Sequence, residues 1–124
     1  MVGALFDTNI LIDYLNGIPA ARDEIRRYET RAISAITWME VMVGATPDEE
    51  PALQAWLNTF RVIPIDHPVA TRAVSIRRGK RIKLPDAIVW ASAQAHALLL
   101  VTRNTKDFAP SEPGVRVPYE LGLS

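Results

Sequence analysis

Val2-Gly3-Ala4-Leu5-Phe6-Asp7-Thr8-Asn9 is an apolar run that ends abruptly in a carboxylate and two small polar side chains. Five residues without a charge read as a strand buried on both faces, the kind found in a parallel sheet. Asp7 then falls at the C-terminal edge of that strand, where open α/β sheets place their ligands. An unpaired buried carboxylate costs several kcal/mol, so Asp7 is not core filler. The rest of the chain is read for what it brings to this acid.

Working outward, Thr8 or Asn9 is placed to cap a short helix over residues 10–16, stopped by Gly17. Pro19 opens a second helix to residue 28, with Arg22, Asp23, Arg26 and Arg27 on a charged face. Residues 32–34 form a short apolar strand. A helix then starts at Thr37 and ends at Gly44. Thr46-Pro47-Asp48 starts the next, with Leu53, Trp56, Leu57 and Phe60 at helical spacing. Residues 62–65 read as a strand and 68–78 as a helix. Residues 79–83 make a basic loop, and Pro85 opens an alanine-rich helix over 86–97. A strand over 98–101 leads into a loop at 102–108, and 115–117 is an edge strand because Pro118 follows. Alternating strands and helices with short connections predict one domain over 1–124. Its class is α/β: three α/β/α layers around a parallel sheet of four to five strands, with right-handed crossovers.

Composition narrows the chemistry. The 124 residues include no cysteine, so disulfides and thiolate metal sites are excluded. The two histidines, His67 and His96, lie far apart, which disfavours a histidine-rich zinc centre. A metal here would be held by oxygen, which suits Mg2+ or Mn2+. No apolar run approaches a membrane span and no signal pattern opens the chain, so a cytoplasmic protein is expected. Fourteen basic residues balance fourteen acidic ones. Their distribution says more, because Arg77, Arg78, Lys80, Arg81 and Lys83 crowd one short segment. Such a segment holds nucleic-acid phosphates or is a solvated connector.

Four acids fall at ends of predicted elements: Asp7 after the first strand, Glu40 and Asp86 in helical first turns, and Asp107 after the fourth strand. In a parallel sheet these ends share one edge, so distant residues converge. Two carboxylates about 4 Å apart repel by roughly 4 kcal/mol at an effective dielectric near 20. A cluster of that kind needs protons or a divalent cation, and such a cation can drive in-line attack on a phosphodiester. Each acid also has a structural reading. Glu40 stands three after Thr37, the spacing of a capping box. Asp86 follows Pro85 where a carboxylate favours the helix dipole, and Asp107 suits a turn. Trp38, Trp56 and Trp90 are spaced as packing residues, and neither histidine carries a partner pattern.

Three segments together resemble the PIN-domain ribonucleases, in particular the toxin half of VapBC toxin–antitoxin pairs, the FitB-like branch included. They are Phe6-Asp7-Thr8-Asn9-Ile10-Leu11-Ile12, then Ser34-Ala35-Ile36-Thr37-Trp38-Met39-Glu40, then Leu84-Pro85-Asp86-Ala87-Ile88 running on to Leu100-Val101-Thr102-Arg103-Asn104-Thr105-Lys106-Asp107-Phe108. The resemblance implies a Rossmann-like three-layer fold and a Mg2+- or Mn2+-dependent endoribonuclease, with Asp7, Glu40 and Asp86 as metal-binding acids. Family members place a fourth acid at the position of Asn104 or of Asp107; Asp107 is favoured, with Asn104 as a neighbouring polar contact. Thr8, Asn9 and Thr102 look like residues that orient the carboxylates. The resemblance also implies an RNA substrate, a homodimer, and a hetero-oligomer with a small VapB-type antitoxin whose arginine competes for the acids. Rival readings are a PIN nuclease that processes RNA without being a toxin, and a silent PIN-like binding module. A haloacid-dehalogenase-type phosphatase also opens on a strand ending in Asp, but Asn9 stands where its second acid belongs.

Overall fold

The computed structural model describes residues 3–121; Val2 of the opening run and residues 122–124 lie outside them. Five short strands form one sheet: β1 (Ala4–Phe6), β2 (Arg31–Ser34), β3 (Arg61–Ile63), β4 (Leu99–Val101) and β5 (Val115–Arg116). All pairings are parallel and the order is β3-β2-β1-β4-β5. Six helices cover it: α1 (Thr8–Leu15), α2 (Pro19–Arg26), α3 (Ala35–Val43), α4 (Glu50–Leu57), α5 (His67–Lys80) and α6 (Leu84–Ala95).

The period-2 alternation of a strand sends neighbouring side chains to opposite faces. Ala4 and Phe6 join one core with Ile10, Leu11, Ile25, Ile33, Val41, Leu57 and Phe60. Leu5 joins the other with Ala32, Ile63, Val69, Ala73, Ala87, Trp90, Leu100 and Phe108. The charge-free opening strand is therefore buried on both faces, as its composition requires. Phe6 meets Phe60 and Tyr28 edge to face, and Trp90 meets Phe108 the same way. Trp56 stacks on Tyr14 at 4.7 Å between ring centroids, so the tryptophans serve packing. Gly3 is forced by crowding: a Cβ there would lie 2.8 Å from side-chain carbons of Leu98 and Thr30.

Several element boundaries differ from those read in the sequence, each for a local reason. The cap of α1 is Asp7 itself, whose carboxylate accepts from the Thr8 amide, so the helix begins two residues early. Ser34 caps α3 through the Ile36 amide. Thr37 is thus already inside the helix, and the capping-box reading of Thr37 and Glu40 fails. Residues 46–48 precede α4, which starts at Glu50. Gly79 does not stop α5; the helix runs to Lys80, and Arg81 takes the left-handed capping conformation at φ 53°. Arg77, Arg78 and Lys80 are therefore in the last turn of a helix, where cations suit the dipole, and only residues 81–83 connect to α6.

Candidate active site

Chain order reverses at β1: the chain leaves it outward to β2 and β3, then returns to its other side for β4 and β5. That makes the C-terminal edge between β1 and β4 the switch point, where open α/β sheets bind ligands. Asp7 ends β1 and Thr102 follows β4, and the Thr102 hydroxyl donates to Asp7 Oδ2 at 2.8 Å across it. Asn9 Nδ2 donates to the same oxygen at 3.2 Å, while Oδ1 accepts from the Thr8 amide at 2.8 Å. Asp7 is 4% exposed, yet each oxygen has a donor. Burial raises its pKa, and the charge of Glu40 adds to that. The hydrogen bonds from Thr102, Thr8 and Asn9 oppose the rise.

The other acids arrive from separate elements. Glu40 lies on α3, one turn deeper than a first-turn position, and its Oε1 accepts from the Thr8 hydroxyl at 2.6 Å. Thr37, fully buried, holds that hydroxyl from the other side at 3.1 Å. Asp86 sits in the first turn of α6. Its pKa is pushed up to about 6 by burial, then by the charge of Asp7, by a hydrogen bond with Asp107, and by the charges of Asp107 and Glu40. Asp107 also shapes a turn: its amide donates to Asn104 Oδ1 at 3.3 Å, and Asn104 Nδ2 donates back to its carboxylate at 2.9 Å. The turn reading of Asp107 is what these hydrogen bonds show.

A family model for the PIN domain matches residues 4–109. The chain belongs to the PIN-domain family. Ribonuclease VapC10 of Mycobacterium tuberculosis is 33% identical over 125 residues, spanning 94% of this chain and 93% of that protein. Toxin FitB of Neisseria gonorrhoeae is 30% identical over 136 residues, spanning 93% and 97%. A chain in a toxin–antitoxin complex from Klebsiella pneumoniae superposes with a TM-score of 0.91 at 50% identity, covering 96% of this chain and all of that one.

In this PIN domain Asp86 feels the charges of Asp7, Asp107 and Glu40, and Asp7 that of Glu40; all four are oxygen donors of the kind a hard cation takes. Among the described residues, however, no three His, Asp or Glu side chains stand as a ready-made chelating group. Thr8 and Asn104 hold Glu40 and Asp107 by hydrogen bonds instead. The basic side chains differ in freedom. Lys80 pairs with Glu112 at 3.1 Å and lies over the Trp90 ring. Arg77, Arg78, Arg81 and Lys83 are exposed, and among the described residues none makes an ion pair.

Sequence reading passed over two buried acids that the structure makes prominent. Asp13 on α1 takes a two-pronged contact from Arg103, at 2.7 and 2.8 Å, and a hydrogen bond from Tyr119. Glu24 on α2 takes the same from Arg116 at 2.7 and 3.0 Å, with Tyr28 donating as well. Nothing in the local sequence of either helix sets these acids apart. Only the positions of their partners, about ninety residues away, reveal them. Among the described residues no helix is long and apolar enough to cross a membrane.

Proposed function

We propose that this PIN domain is the endoribonuclease toxin of a toxin–antitoxin pair, cutting RNA phosphodiester bonds with a carboxylate-held Mg2+ or Mn2+. The observation that carries the reading is the convergence of acids from separate elements. Asp7 after β1, Glu40 on α3 and Asp107 after β4 gather around Asp86 at the start of α6, where burial and those charges push its pKa up. Carboxylates in mutual repulsion at a sheet's switch point are a stable arrangement only with a proton or a cation among them. Mg2+ is usually bound through one or two carboxylates, with waters and substrate phosphate completing its shell, so a three-carboxylate cage is not required.

Asp7 and Asp86 would hold the ion, with Glu40 and Asp107 assisting, in part through water. When bound, such an ion polarises a phosphoryl oxygen and lowers the pKa of a bound water. Thr102, Asn9 and the Thr8 amide fix the Asp7 carboxylate before any ligand arrives, and Thr8 fixes Glu40. That pre-set orientation is what electrostatic catalysis needs. Arg77, Arg78, Arg81 and Lys83 lead into α6 just ahead of Asp86 and are suited to RNA phosphates; Lys80 assists less, being tied to Glu112.

The toxin role follows the relatives. A VapB-type antitoxin that places an arginine against these acids would neutralise them much as a cation does. A homodimer in the cytoplasm, joined by the antitoxin into a hetero-oligomer, completes the reading. The test is cleavage of total RNA by the purified protein freed of partner, with Mg2+, with Mn2+ and with EDTA. Cleavage should require metal and stop with EDTA. Asp7→Asn should lower it by more than about a hundredfold, since even outer partners of a metal site cost 10–100-fold. Undiminished cutting in EDTA, or by a folded Asp7→Asn protein, contradicts the assignment.

A further inference from the structure

Asn9 and Asp13 stand four apart on α1 and so share one face, roughly 6 Å apart along the axis. Both grip the same residue of the loop after β4. Asn9 Oδ1 accepts from the Arg103 amide at 3.1 Å, and Asp13 takes the Arg103 guanidinium on both oxygens. The flanking residues are the ones that touch the acids. Thr102 donates to Asp7, and Asn104 binds both the Thr102 hydroxyl and Asp107.

We propose that Asp13, through Arg103 and braced by Tyr119, is a positioning residue that sets the 102–108 loop and thereby the cation affinity of the acid cluster. The proposal rests on the nuclease reading for its metal arm, though not for its structural arm. A carboxylate 4% exposed on its side chain, met by a planar two-pronged donor, fixes an orientation that a single point charge would leave free. The Tyr119 hydroxyl on Asp13 Oδ2, at 2.8 Å, uses up the remaining freedom of that carboxylate. Asn9 carries the constraint inward, since its amide group bonds Asp7 and Thr102 on one side and the Arg103 backbone on the other. An ion pair serving stability alone would not need its arginine between two residues of the acid site.

The test compares wild type with Arg103→Lys, which keeps the charge and loses the fork. Two quantities are read: amide hydrogen exchange of residues 102–108, and the Mn2+ dissociation constant by calorimetry. Exchange in the loop should speed by about tenfold while the β1 and β2 amides stay protected. Mn2+ should bind about tenfold more weakly, and kcat for RNA should fall with KM unchanged. A folded Arg103→Lys protein with a lowered Tm but unchanged loop exchange and Mn2+ affinity overturns the proposal. If that variant does not fold, Tyr119→Phe keeps the ion pair and removes one bond to Asp13. Faster loop exchange there supports the proposal, and wild-type exchange overturns it. A wild-type protein that binds no Mn2+ sinks the nuclease reading, and loop exchange then decides the positioning role by itself.

Discussion

Asp86 binds its proton more tightly in the folded chain than in the unfolded one, because burial and the neighbouring acids disfavour its charge. Between pH 4 and about 6 the unfolded state gives up that proton while the folded state keeps it. A folded state that holds more protons loses stability as pH rises. The contribution of Asp86 is thus fully present below pH 4 and lost by the time pH passes its folded value near 6. The metal-free protein should show a fall in Tm across that window, flattened in Asp86→Asn. Mn2+ should raise Tm above pH 6 and do little at pH 4.5, where the proton occupies its place. A Tm profile identical in wild type and Asp86→Asn contradicts this. Although Asp7 caps α1, a structural role read for Thr8 or Asn9, its place at the buried end of a charge-free strand was legible from sequence. Asp13 and Glu24 were not, because a charged residue in an amphipathic helix is ordinary until its partner's position is known.

At the scale of elements, strand and helix types followed from periodicity, and the errors gathered at helix starts and stops. Capping is decided by which side chain reaches a free amide. Asp7 and Ser34 won those positions although Thr8, Asn9 and Thr37 were equally eligible by residue type. Glycine was an uneven stop signal: α1 and α3 end at Gly17 and Gly44 as read, whereas α5 passes Gly79 and α6 ends without a glycine. After α6 the Leu98 amide bonds the Ala93 carbonyl at 2.9 Å and the Ala97 amide bonds Gln94, a closure that puts Ala97 at φ 53°. A left-handed alanine costs about 1 kcal/mol or more that glycine avoids. Ala97 is exposed, so no packing is lost in exchanging it. Ala97→Gly should therefore stabilise the protein by about 1 kcal/mol, raising Tm by roughly 4 °C. A lowered Tm on thermal unfolding would contradict that reading of the helix end.

Across the whole molecule, the sheet order collects residues 7, 40, 86 and 107 at one edge, which periodicity alone places only in outline. The alternation of strands and helices implied a parallel sheet. Which strands neighbour one another, and hence that Thr102 meets Asp7, depends on packing between distant elements. The same holds for the edge strand β5, two residues long and secured to α2 through Arg116 and Glu24. Burial works to raise the pKa of Glu24, but Arg116, Tyr28 and Arg27 together hold it below the ordinary value. Removing one partner of a buried pair leaves a charge uncompensated. Arg116→Met should cost about 3 kcal/mol in urea unfolding, the low end of such losses because Tyr28 and Arg27 remain. A cost under about 1 kcal/mol would mean the edge strand is held by something else. The proposed activity depends most of all on four scattered carboxylates making one cation site. Crystals grown with Mn2+ and measured at its absorption edge test this directly. An anomalous peak bonded to Asp7 and Asp86, absent in Asp7→Asn crystals, is the expected result. A peak away from both residues, or none at saturating Mn2+, would contradict it.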